Sequence, residues 1–312
     1  MRIILVLLLS FSFSIVRSQI IIGSINDRVL DFCFSQDGEL LIVPFDDKIR
    51  IFETESFKEI NTLIPEQHSP VIAVAINNSK TNVATCSRDS SLTIWNLNNG
   101  QVIFRFKQLF LLKLVKYCPN GSLFATVTSD NRIVVWDAVT YKPEYYLMQH
   151  SGDITDIEFL GNDKIISCSA DHNIIIWEIS TEKPISQWSA GHNWIRDLSI
   201  NSSMTRLISC GDEGKVHLWN ISDVDNVTEL SQIRYCNNWL MSCDFYDNNT
   251  YVVSGHNEKI YIHSPFGESY FKINSYVNKV AFVPNKSDLT VVLSTQKYGL
   301  VRVQAKDMTI SK

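Results

Sequence analysis

Along most of the chain, apolar residues occupy every second position over short stretches, and polar turn formers separate those stretches. VLDFCFS (29–35), ITDIEFL (154–160) and IRDLSIN (195–201) open such units, and turns such as QDG, CPNG and GND follow stretches of this kind. A second stretch, for example KIISCSA (164–170), runs into a tight turn at an aspartate. A third ends on a large, mostly aromatic residue, and a fourth such as KPISQWS (183–189) completes the unit. Alternation with period two sends successive side chains to opposite faces of a pleated strand. Turn signals every eight to twelve residues then predict an all-β chain. After residue 18 no segment keeps a 3.6-residue period, so no amphipathic helix is expected.

The third stretches repeat one another. DSSLTIW (89–95), DNRIVVW (130–136) and DHNIIIW (171–177) share the form Asp-x-x-apolar-x-apolar-Trp, and DEGKVHLW (212–219) reads as a copy with one extra residue. Weaker copies are DDKIRIF (46–52), NEKIYIH (257–263) and YGLVRVQ (298–304). Their last residues are 43, 41, 41, 42, 44 and 41 apart. A period near 42 in seven copies is the signature of a repeat architecture in which each unit packs on its neighbours.

Period, strand order and marker residues together resemble the WD40 family of β-propellers, over residues 18–304. The WD dipeptide survives once, at Trp136-Asp137, and the other units read WN or WE. The resemblance implies an all-β, seven-bladed propeller of four-stranded sheets around a central channel. The units run approximately 24–67, 68–108, 109–149, 150–191, 192–235, 236–276 and 277–304. The seventh lacks chain for an outer strand. Residues 18–23, SQIIIG, are expected to supply it, closing the ring onto the last blade and removing exposed sheet edges.

The resemblance also implies a hydrogen-bonded set inside each blade: indole N–H to hydroxyl, hydroxyl to imidazole, imidazole to the turn carboxylate. Counting back 27 residues from the tryptophans gives His68, His150 and His192. Eight back gives Ser87, Thr128, Ser169 and Gly211, and six back gives Asp89, Asp130 and Asp171, with Asp212 set off by the extra residue. Units two (His68, Ser87, Asp89, Trp95) and four (His150, Ser169, Asp171, Trp177) carry all four members. Leu109 replaces the histidine in unit three. His172 is expected as an exposed turn residue outside the set.

Composition narrows the function. A formal charge of −5, without any basic stripe, argues against nucleic acid as a partner. The apolar N-terminal run MRIILVLLLSFSFSIVRS (1–18) is short for a membrane span and fits a secretory signal peptide. A buried N-terminal strand or a misplaced start are the other readings. The compartment is therefore secretory if residues 1–18 are a signal, and otherwise cytoplasmic. The seven cysteines have no metal-knuckle spacing. Their places in the repeat make them small core residues with no bridges expected among them. Seven N-x-S/T sequons, at Asn77, Asn120, Asn201, Asn220, Asn226, Asn248 and Asn285, fall in turns that the family places on one rim. Asn is also a common turn former.

Ser, His and Asp recurring at repeat spacing, with no G-x-S-x-G elbow, point away from a hydrolase. No phosphate loop, metal set or other cofactor motif is expected from the residues, and none is called for. The expected function is a non-catalytic scaffold for a protein or peptide, acting as a monomer or as a subunit of a complex. The alternative is an enzyme using the central opening, with Asp31, Asp156, Asp197 and Asp244 as its candidate acids. The resemblance implies docking on the rim opposite the sequons, displaying Arg88, Trp194, Arg196 and Trp239. Adjacent large aromatics with an arginine have the composition of an interaction hot spot.

Overall fold

The computed structural model describes residues 20–22, 29–45, 48–66, 69–191, 193–286 and 289–304. His68, His192 and the candidate signal at 1–18 lie outside them. The described residues form seven four-stranded antiparallel sheets. Blade four consists of Ile154–Leu160, Lys164–Ser169, Asn173–Glu178 and Lys183–Ser189. Blade five consists of Ile195–Ile200, Arg206–Gly211, Lys215–Asn220 and Thr228–Arg234. In blade seven the strands Val277–Phe282, Thr290–Thr295 and Gly299–Gln304 are completed by Ile20–Ile22. Ile20 pairs with Arg302 and Ile22 with Leu300, so the head of the chain closes the sheet begun by its tail.

The core lies between blades. Each second strand is buried on both faces, as in KIISCS of blade four, whereas the outermost strand of blade five is exposed along nearly its whole length. An inner strand sandwiched by two neighbours must be apolar on both sides, and the periphery meets solvent on its outer edge. Hydrophobic clusters bridge successive blades. One joins Ile42 and Ile51 of blade one to Val74 and Trp95 of blade two, and another joins Val43 and Phe52 to Val292 and Leu300 of blade seven. That last cluster closes the ring by packing as well as by strand pairing.

The first strand of blade one is shorter than expected. Among the described residues, Cys33–Phe34 pair with the second strand. Upstream, the carbonyl of Val29 accepts from Asn278 Nδ2 of blade seven at 3.4 Å, a bond to the neighbouring blade. Cys86, Cys118, Cys168, Cys210 and Cys243 are buried thiols, and Cys33 and Cys236 are partly buried. Among the sequon asparagines, Asn201 is buried at 2% exposure.

In six blades the first strand carries a register shift at its start, as between Ile154 and Asp156 and between Ile195 and Asp197. A bulge of this kind re-aims one side chain. The bulged residues Ile72, Lys113, Thr155, Arg196, Met241 and Asn278 all line one mouth of the central channel.

Candidate functional site

Two polar systems were expected, one inside the blades and one on the rim. Inside blade four the indole Nε1 of Trp177 donates to Ser167 Oγ at 2.8 Å. Ser167 Oγ meets His150 Nε2 at 2.8 Å, and His150 Nδ1 meets Asp171 Oδ2 at 2.8 Å. The hydroxyl is therefore Ser167, ten residues before the tryptophan, and not Ser169 at eight. The same correction holds elsewhere: Trp95 donates to Thr85, Trp136 to Thr126 and Trp219 to Ser209, at 2.9–3.0 Å. The pairing register is the reason. Trp177 lies opposite Ile165, one diagonal step from Ser167 and two from Ser169, and diagonal neighbours are the ones in reach. Ser169 instead accepts the Asp171 N–H at 3.0 Å, and Ser87 is buried at the corresponding place in blade two.

Burial pushes the Asp171 carboxyl up, but the His150 ring and the backbone N–H groups of Asn173 and Ser151 outweigh it and hold it at about 2. Ser167, His150 and Asp171 thus have the connectivity of a hydrolase triad. Ser167 is wholly buried and its oxygen already takes the indole proton, so it is a brace. In blade three Leu109 is 89% exposed. There Asp130 pairs with Arg132, whose guanidinium lies 5.2 Å from the Phe110 ring centre. In blade two Asp89 accepts from Ser91 Oγ at 2.6 Å. His172 is half-buried at positive φ, not exposed, and its Nδ1 has no hydrogen-bond partner among the described residues.

The turn of blade five holds no extra residue. Gly214 N donates to Gly211 O as His172 N donates to Ser169 O, so the two turns are equal in length. Asp212 then corresponds to Ala170, and Glu213 to Asp171. That single step moves the Asp212 carboxylate from the blade interior to the rim.

Around the channel, polar side chains on one blade reach the backbone of the next. Asp31 accepts from Val74 N at 2.9 Å, Asp197 from Cys243 N at 2.8 Å, and Asp244 from Phe282 N at 2.8 Å. Lys279 of blade seven pairs with Asp31 of blade one, and Lys116 of blade three with Asp156 and Glu158 of blade four. Burial raises Asp244 to about 6 against the Phe282 N–H and Ser199 hydroxyl that favour its charge. Burial, reinforced by the neighbouring Asp156, also raises Asp197 well above the carboxylate range. Burial lowers Lys116, but Asp156 and Glu158 outweigh it and hold the ammonium well above its usual value. No group of three or more His, Cys, Asp or Glu among the described residues is placed to hold a metal.

The rim system centres on the bulge residue Arg196. Its guanidinium grips Asp212 in a fork, Nε to Oδ1 at 2.6 Å and Nη2 to Oδ2 at 2.9 Å. It lies 4.8 Å from the ring centre of Trp194 and 5.4 Å from that of Trp239. His256 packs on Trp239 at 5.3 Å and Tyr276 packs on His256 at 4.9 Å. The carbonyls of Trp194, Trp239 and Tyr276 accept from Asp212, His256 and Gln296 respectively. These three aromatics therefore hold one structural position on blades five, six and seven, and they remain 46%, 45% and 44% exposed. Gly211 and Gly255 permit the close approach, since a Cβ there would meet the carbonyls of Trp194 and Trp239 at 2.1 Å.

The structure brings Trp194, Arg196 and Trp239 together. Arg88 is exposed at the blade-two position equivalent to Asp212, on the same rim but three blades away. His256 and Tyr276 were not read from the sequence. Tyr276 precedes Lys279 by three residues, as Trp194 precedes Asp197, so aligning first strands would have found it.

Comparisons agree with this architecture. The family described as "WD domain, G-beta repeat" matches residues 57–96, 114–137, 141–178 and 182–220. The chain is 30% identical over 142 residues to the WD repeat-containing protein 91 homolog of Dictyostelium discoideum, covering 43% of this chain and 18% of that protein. It is 25% identical over 256 residues to Transducin beta-like protein 3 of Rattus norvegicus, covering 72% of this chain and 31% of that one. The chain thus spans less than a third of these two relatives. The β-propeller domain of Myceliophteria thermophila Cps50 (Swd1) superposes with a TM-score of 0.80 at 13% identity, covering 92% of this chain and 99% of that domain. No helix among the described residues is long and apolar enough to cross a membrane.

Proposed function

Since the chain is a WD40-repeat β-propeller, we propose that it is a non-catalytic scaffold that docks a protein or peptide partner on the channel-side rim of blades five to seven. The observation that carries this reading is the arc Trp194, Trp239 and Tyr276, one aromatic at the same position of three successive blades, each nearly half exposed. Exposed contiguous aromatic surface is costly on a monomer unless something covers it. Aromatics fixed in place also lose little entropy on binding. Here Arg196 and His256 fill the gaps between the rings and hold their orientation.

The relation of the arc to the fold supports presentation over chemistry. Asp31, Asp197 and Asp244, three acids that an enzyme at the opening would use, already accept neighbouring backbone N–H groups. Their work is to hold blades together. The test is quantitative affinity purification with Trp194→Ala and Trp239→Ala beside Leu230→Ala, which removes an exposed side chain from the outer strand of blade five. The expected result is one stoichiometric partner, retained by wild type and by Leu230→Ala and lost from both tryptophan variants. A partner retained by all four proteins contradicts the reading.

A further inference from the structure

We infer that the segment docking on the arc is basic, with a lysine or arginine side chain entering the channel mouth beside Trp194. This rests on the arc being a docking surface and adds the chemistry of what docks there. The first observation is charge. The described residues lining the channel and its mouth contribute six carboxyl groups (Asp31, Asp153, Asp156, Glu158, Asp197 and Asp244), against three lysines. Arg196 does not redress the balance, because Asp212 neutralises it in a bidentate pair. Lys113 pairs with Asp153 at 2.9 Å, and Lys116 is shared between Asp156 and Glu158. Asp197 meets the Asp156 carboxyl, the Ser242 hydroxyl and the Cys243 N–H, and Asp244 meets the Phe282 N–H and the Ser199 hydroxyl, and among the described residues neither forms an ion pair with a lysine.

The second observation is that several of these carboxyl groups are buried. Burial holds Glu158, Asp197 and Asp244 above the ordinary carboxylate range, the nearby lysines notwithstanding. A cation brought to such a place meets carboxylates whose charged forms it stabilises, whereas a neutral or acidic segment meets like charge or none. The third observation is shape. The mouth is a cavity of about 410 Å³ bounded by Trp194, Arg196, Asp153 and the bulge residues, and the Asp153 side chain stands 56% exposed within it. Trp194 and Trp239 already hold one guanidinium between them, so their faces are shown to accept a cation. A free polyamine would meet the charge and leave the arc uncovered. A peptide meets both.

The test uses the full chain and fluorescein-labelled peptide pools, read by anisotropy at low and high salt. One pool has arginine fixed at its centre among leucine, proline, phenylalanine and serine, and matched pools have glutamine or glutamate there. The arginine pool should bind at least about tenfold more tightly than the others at low salt, a difference set by one desolvated charge pair. Asp153→Asn should shrink that preference, as should Asp156→Asn if it folds, and Trp239→Ala should weaken all pools. If all pools bind alike and Trp239→Ala abolishes them, the basic segment is wrong and the arc stands. Binding that ignores Trp239→Ala, or no binding by any pool, overturns both. Spermine binding as tightly as the arginine pool, with the glutamine pool unbound, overturns the peptide as occupant.

Discussion

Blades four and five begin from the same repeat and spend their polar residues differently. Both anchor the third-strand tryptophan on a buried serine, Ser167 or Ser209. Blade four continues the chain of bonds inward through His150 to Asp171, all within the blade. Blade five has its aspartate one residue earlier, and Asp212 faces outward to grip Arg196 on the rim. At the position before the first strand, blade four has Asp153 and blade five has Trp194. The lesson is that a turn of fixed length can brace a blade or mount a surface: blade five keeps a carboxylate, Glu213, at the position of Asp171 and adds a second, Asp212, where blade four has Ala170. An orphaned polar group in the blade interior is costly, whereas the rim can offer its groups to a partner.

The largest effect that would sharpen this comparison is expected at Ser167. Ser167→Ala leaves the Trp177 indole and the His150 ring without their shared oxygen in a buried site. Each orphaned group costs about 1–3 kcal/mol, so chemical denaturation should show a loss of about 2–6 kcal/mol. Ser169→Ala removes one bond to a turn N–H and should cost about 1 kcal/mol. Equal losses would return the brace to the position eight residues before the tryptophan.

A smaller effect separates the channel from the blade interior by pH. Asp244 lies at about 6 when folded, above the ordinary value of about 4. Between those values the folded chain keeps a proton that the unfolded chain has released. The stability this gives is full below about pH 4 and lost as pH rises through 6. Asp171, held at about 2, runs the other way: its stability is full above about pH 4 and lost as pH falls toward 2. Asp244→Asn should therefore raise Tm at neutral pH by about 2–4 °C, with the gain vanishing near pH 4. A constant difference across this range would mean that Asp244 does not titrate there.

Much of the fold was legible because it depends on periodicity. Alternation gave the strands, and the recurring third strand gave seven blades. SQIIIG gave the closing strand, seen at Ile20–Ile22. What was not legible depends on register and on loops of unequal length. Ser167 and Ser169 lie two apart on one strand and face the same way, so spacing alone cannot say which one Trp177 reaches. Only the pairing of Trp177 with Ile165 decides it. Counting from the tryptophan likewise misplaced Asp212, since the step between Asp212 and Glu213 reads as an insertion until the turns are superposed. Tyr276 is legible only when the first strands are aligned, where it precedes Lys279 as Trp194 precedes Asp197.

The most direct measurement pairs Asp171→Ala with Asp212→Ala, reading unfolding free energy and arginine-pool binding on the same preparations. The account predicts that Asp171→Ala loses about 1–3 kcal/mol with binding unchanged. It predicts that Asp212→Ala loses less stability than Asp171→Ala, since the released Arg196 keeps the Trp194 and Trp239 rings and its long stem can carry the charge to solvent, with binding weakened because Arg196 is released from its fork. Equal destabilisation by both, with binding intact in Asp212→Ala, would contradict it.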